Sequence, residues 1–187
     1  MHSLVRRVTE RARGVASGPL AEETISAAEA ELGFELPSLL REIYLNVGDH
    51  GFGPGHGFLP LRPIDAGDPS VVALYVELRQ PNPENPGWTW PERLLPLCDW
   101  GCAMYSCVGC SAPPFAVVTF EYVADAPVSA SLAPTRESFA GYLADWLDGK
   151  DVFEPVYVDA PELSRTAINP FTKQPMIFMG RKPRFWP

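Results

Sequence analysis

Apolar positions along the chain change period several times, and each change marks an element boundary. From Glu22 to Leu32, Ile25, Ala28, Glu29 and Leu32 fall on adjacent turns and Gly33 supplies a stop, which predicts a helix. A Leu36-Pro37 step follows. Then Leu39, Leu40, Ile43, Tyr44 and Val47 form a second stripe ending at Gly48, so two helices are expected that cannot continue into each other. Ahead of them, Leu4 to Arg13 has helical potential but few apolar residues; it reads as a short basic helix packed at one edge and broken by Ser17-Gly18-Pro19. Asp68-Pro69 supplies an N-cap and a first-turn proline for a helix carrying Val72, Leu74, Tyr75 and Leu78, ended by Pro81 and Pro83. Thr135 caps a last helix to Leu147, with Phe139, Leu143, Trp146 and Leu147 on one side and Gly149 closing it.

Strand signals occupy the middle of the chain. Leu94–Cys98, Ala103–Val108 and Phe115–Tyr122 are short β-rich runs with short gaps, which predicts an antiparallel meander. Residues 152–187 hold brief apolar runs separated by Asn169-Pro170 and Pro175, so a partly extended tail is expected, with a hairpin around Phe171–Pro175. The fold class is therefore α+β: a central, mostly antiparallel sheet flanked by helices. The expected organisation is a basic helix over 1–18, a domain over 19–155 and an extension over 156–187 packed on it. No internal repeat is visible.

Composition changes this picture in two places. The formal charge is −8, but basic residues gather at both ends, leaving residues 14–172 with 7 basic against 22 acidic groups, a balance of −15. Such a body repels nucleic acid and attracts basic partners. Acidic surfaces also serve solubility alone. No run reaches the roughly 20 apolar residues of a membrane span, and the start MHSLVRRVTERARG has no continuous apolar core. A cytoplasmic location, with no membrane and no nucleic acid as partner, is the expectation.

Several segments, taken in order, resemble the SUKH superfamily, the Smi/Knr-type domains. Glu29, Leu32, Gly33 and Leu36-Pro37 match its opening helix and step, and Tyr44, Asn46 and Gly48 match its aromatic helix and turn. Gly53-Pro54-Gly55-His56-Gly57-Phe58-Leu59 matches its glycine loop, with His56 where the family often has an aromatic. Trp90-Pro91, Leu95-Pro96-Leu97 and Asp99-Trp100-Gly101-Cys102 match its central strand and turn, and Ser138-Phe139 with Trp146-Leu147-Asp148-Gly149 its last helix. The match runs over about 20–155. The resemblance implies an α+β fold and a binding domain without catalysis; many bacterial members are thought to be immunity proteins that neutralise secreted toxins.

Other chemistry is sparse. Cys98, Cys102, Cys107 and Cys110, spaced C-x3-C-x4-C-x2-C, resemble a zinc site, but the linker is short, strand alternation would separate the thiols, and free cysteines suit a buried sheet. His50 and His56 lie in a loop without a nucleophile motif, and the glycine loop lacks the lysine and hydroxyl of a phosphate cradle. The tail GRKPRFWP sets basic groups beside Phe185 and Trp186, and is read as docking on the acidic body. No catalytic residue, metal or cofactor is assigned. Asp49, Asp99, Glu121 and Asp125 are the acids expected to contact a partner. The expected function is non-enzymatic binding of a basic toxin domain, such as a nuclease, by a monomer. A regulatory scaffold binding an endogenous protein, and a small protein stabilised by zinc at the cysteines, stand as alternatives.

Overall fold

A computed structural model describes residues 3–83, 85–123 and 127–154, together with the backbone of 157–159, 165–168, 175–178 and 181–183. Five strands form one antiparallel sheet in simple sequence order: β1 (Gly57–Phe58), β2 (Leu94–Gly101), β3 (Met104–Gly109), β4 (Val117–Phe120) and β5 (Leu132–Arg136). The helices are α1 (Ser3–Ala12), α2 (Glu22–Leu32), α3 (Ser38–Asn46), α4 (Val71–Leu78) and α5 (Phe139–Leu147). This is the α+β architecture expected. In the tail, β6 (Tyr157–Asp159) pairs with β9 (Arg181–Pro183), and β7 (Arg165–Ile168) with β8 (Pro175–Phe178). The expected hairpin turn itself, from Phe171, lies outside the described residues, as does most of GRKPRFWP.

Val5, Val8 and Ala12 point one side of α1 inward, while α1 lies against α3 and α5. These residues join Ile25, Leu40, Ile43, Tyr44, Leu95, Leu97, Val108, Phe139, Tyr142 and Leu143 in one continuous core. The spacing of three and four residues in α1 is what buries its few apolar groups and turns its arginines outward.

The step between the first two long helices has a clear cause. Gly33 adopts the left-handed conformation (φ 79°) and returns its N–H to the Glu29 carbonyl at 2.9 Å. The Glu29 carboxylate then accepts the Leu36 amide at 2.9 Å, and the Pro37 carbonyl accepts Arg41 N–H at 3.0 Å to start α3. One acid thus ties the end of α2 to the start of α3.

Three helix boundaries differ from those expected. Helix α3 is capped by Val47 in the helical region, and Gly48 serves close packing: a Cβ there would lie 3.0 Å from that of Ala16. Helix α4 is capped by Ser70, whose hydroxyl accepts Ala73 N–H at 3.1 Å; Asp68 is occupied one turn earlier, accepting Asp65 N–H at 3.1 Å. Ser138, accepting Gly141 N–H at 3.0 Å, caps α5. Thr135 instead lies in β5, fully buried, with its hydroxyl donating to the Val117 carbonyl at 3.0 Å. Pro96 is accommodated within β2 beside a register shift, where a missing N–H costs the ladder little.

Candidate functional site

Register across the sheet lines up Gly57, Asp99, Tyr105, Phe120 and Leu132 on consecutive strands. Tyr105 and Phe120 stack with centroids 6.3 Å apart and planes 6° from parallel. The proline-rich loop after α4 lays two indoles against them: Trp88 meets Phe120 edge-on at 6.0 Å and Trp90 meets it at 5.1 Å. Both indole N–H groups are used to fix the rings, Trp88 donating to the Leu78 carbonyl and Trp90 to the Leu94 carbonyl, each at 2.9 Å. Tyr122, 46% exposed, closes on Trp88 at 5.8 Å.

Between these rings and the Leu74–Leu78 side of α4 lies an open cleft of about 410 Å³, with Pro81 and Pro83 on its lip. Its walls are aromatic and preorganised. One acid, Glu77, lines it, and Asp99 pairs with Tyr105 from the neighbouring strand. Burial, then the negative fields of Asp99 and Glu77, push the Tyr105 phenol above its ordinary range. A cleft of this kind receives an apolar anchor with a cation beside it.

Of the four acids singled out from sequence, the three among the described residues do not gather in one place. Asp49 is 9% exposed and accepts the Leu61 amide at 2.7 Å, so its carboxylate is used inside the fold. Asp99 accepts Gly101 N–H at 2.8 Å and faces His56 Nδ1 at 3.4 Å, while keeping a third of its side chain exposed. Glu121 is exposed just beyond β4, next to Tyr122 of the cleft. Asp125 lies outside the described residues. Glu77, Trp88, Tyr105, Phe120 and Tyr122 were not singled out; the signal was the run PNPENPGWTWP, two tryptophans set in a proline-rich loop.

The glycine loop has a packing role. Gly55 (φ 63°) touches the β2–β3 turn so closely that a Cβ would sit 2.5 Å from the Asp99 carbonyl and 2.8 Å from the Trp100 ring. His56 N–H donates to that carbonyl at 2.8 Å, and Trp100 donates to Ser106 Oγ at 2.8 Å. Among the described residues neither His50 nor His56 has its ring hydrogen-bonded to a hydroxyl or thiol; each faces only an aspartate.

Cys98, Cys107 and Cys110 are buried, whereas Cys102 is exposed in the turn. Among the described residues no group of three or more His, Cys, Asp or Glu side chains is placed to share a metal ion. Burial pushes the Cys98 and Cys110 thiols up to about 12, and Cys107 upward as well, so all three are protonated core groups at neutral pH. The Tyr44 and Tyr142 hydroxyls are buried beside these thiols without a hydrogen bond of normal geometry. Among the described residues no helix is long and apolar enough to cross a membrane.

The family model described as SMI1 / KNR4 family (SUKH-1) matches residues 19–145, more than half of the chain. No curated protein matches it.

Proposed function

The chain belongs to the SMI1/KNR4 (SUKH-1) family, and from that membership we propose that it is a non-enzymatic, cytoplasmic immunity protein that binds and neutralises a bacterial toxin domain. The observation that carries this reading is the aromatic cleft with Glu77 in its lining. Trp88, Tyr105, Phe120 and Tyr122 offer rigid contact area at little entropic cost, the composition typical of interface anchors. Glu77 and Asp99, on a body of balance −15, favour a basic partner such as a nuclease and speed its approach. Inhibition of this kind occludes the toxin's active site or its access to substrate, and needs no cofactor.

The test is co-expression with the toxin domain encoded beside this chain. Survival with a one-to-one complex is expected; Glu77→Lys with Tyr122→Ala should weaken the complex by about tenfold or more, chiefly through anchor loss and a slower, less salt-dependent approach. Cell death without a complex would remove the pairing. Full binding by the double variant would move the interface elsewhere.

A further inference from the structure

A second cleft, of about 560 Å³, lies where the α2–α3 junction meets the start of β2 and the loop before β4. Phe34, Leu36, Pro113 and Phe115 give it apolar walls, and Arg93 stands among them.

Three independent observations single out Arg93. The first is charge. Of the five arginines between residues 14 and 154, Arg41, Arg62, Arg79 and Arg136 each meet a carboxylate, and among the described residues Arg93 meets none. The second is orientation. Its guanidinium lies 5.7 Å from the centroid of the Phe34 ring, which is itself held edge-on to Tyr75 at 5.5 Å. Stacking covers a guanidinium's face and leaves the N–H groups along its edge free to grip a carboxylate in two-pronged fashion. The third is backbone strain. Among the described residues four non-glycines have positive φ; Cys102 and Ala103 are the two residues of the β2–β3 turn, and the other two, Arg93 (φ 57°) and Phe115 (φ 60°), both line this cleft. A conformation that bulky residues avoid is held here at two points of one cavity. Arg93 is also pinned on both sides, its N–H donating to the Tyr75 hydroxyl at 3.1 Å and its carbonyl accepting Cys110 N–H at 2.7 Å.

We propose that this cleft is a carboxylate receptor for a polypeptide: it takes an apolar residue whose adjacent carboxylate, C-terminal or side-chain, is held by Arg93. Glu35 also lines the cleft without pairing to Arg93, so a single cation meets the incoming anion, and the flat two-pronged edge of a guanidinium matches the two oxygens of a carboxylate. The inference goes beyond toxin binding, since it needs no basic partner and holds whichever protein supplies the carboxylate.

The full chain, isotopically labelled, is titrated by NMR with four short peptides. One ends in leucine with a free carboxylate and one is its C-terminal amide. The third carries glutamate beside leucine with an amidated end, and the fourth replaces that glutamate with glutamine. Binding by a carboxylate peptide, with shifts at Phe34, Arg93 and Phe115, is expected. Arg93→Gln should weaken it by about tenfold or more, the worth of one charge-assisted bond. Arg93→Lys should fall between, keeping the charge but losing the fork. Binding by the first peptide alone would make the site a C-terminus reader; binding by the first and third would make it a general carboxylate site. Equal binding of the amide and glutamine peptides, no binding by any, or unchanged affinity in Arg93→Gln would each overturn the proposal. If Arg93→Gln does not fold, Phe34→Leu serves: it removes the ring that orients the guanidinium and must weaken the same peptides.

Discussion

The carboxylate of Asp49 accepts the backbone N–H of Leu61 at 2.7 Å, inside the fold and 12 residues along the chain. On the same turn, the Asp49 and His50 amides donate to Ser17 Oγ at 3.2 and 3.1 Å. Asp49 therefore joins the segment after α1 to the strand-side end of the glycine loop. Burial raises its pKa, and the hydrogen bonds from Leu61 and His50 offset this only in part. The sign follows from linkage. A folded carboxylate with a raised pKa holds a proton that the unfolded chain has released, so its contribution to stability is greatest below the ordinary value of about 4 and declines as pH rises through the folded value. Asp49→Asn keeps an acceptor for Leu61 and removes the buried charge. Its stability relative to the parent should rise between about pH 4 and 7, measured by denaturant unfolding; parallel profiles would exclude the account. Asp49→Ala should cost about 1–3 kcal/mol, the worth of an orphaned buried amide.

Among the described residues Arg136 is the buried cation, and it should be the most sensitive polar residue of these. At 7% exposure, it donates to Asp145 Oδ2 at 2.8 Å, to the Thr135 carbonyl at 2.8 Å and to the Asp151 carbonyl at 2.6 Å. Replacing a buried ion pair with an apolar isostere is often harmless. Here Arg136→Met would also strip two carbonyls of their donor, so a loss of about 3 kcal/mol is expected in urea unfolding. Burial alone would raise the Asp145 pKa, but the hydrogen bonds from Lys150 and Arg136 outweigh it and hold the group low. Its share of stability is thus present above the ordinary carboxylate pKa of about 4 and is lost as pH falls through the depressed value.

What the sequence revealed and what it hid divide along physical lines. Periodic apolar stripes exposed α2, α3 and the face of α5, because spacing and burial share one cause. Gly33 and Pro37 were legible because helix stops and turn chemistry are local, whereas the Glu29 carboxylate that ties α2 to α3 was not. Strand β5 was not: Leu132-Ala133-Pro134-Thr135-Arg136 has a proline in its middle and ends on a buried charge, which only partners 9–15 residues away make tolerable. The aromatic cleft was hidden for the same reason. Trp88 and Phe120 lie 32 positions apart, and sheet register alone brings Tyr105 opposite Phe120. Asp49 looked like surface because it sits in a glycine-dense loop, yet that loop folds back onto the core.

The β2–β3 turn offers a gain in stability. Cys102 and Ala103 occupy its two central positions with φ of 52° and 59°. Two-residue hairpin turns with both φ values positive favour Asn-Gly, because a Cβ is disfavoured there. Cys102→Asn with Ala103→Gly should raise stability by about 1 kcal/mol, seen as a higher melting temperature. A lower melting temperature would mean that these side chains hold contacts worth more than the strain.

Arg93 permits the opposite experiment, in which stability and recognition are expected to part. A non-glycine at φ 57° carries a conformational cost of about 1 kcal/mol, which Arg93→Gly removes. The same change deletes an exposed cation–π contact with Phe34, worth about 0.5–1 kcal/mol. The two terms nearly cancel, so Arg93→Gly should unfold within about 0.5 kcal/mol of the parent while losing the carboxylate peptides. If Arg93 served the fold, its removal would instead lower stability clearly, by more than about 1 kcal/mol. Thermal unfolding and peptide titration on one preparation separate the two cases. A strained residue whose side chain can be removed at no cost to folding, but only with loss of binding, is kept for the ligand rather than for the fold.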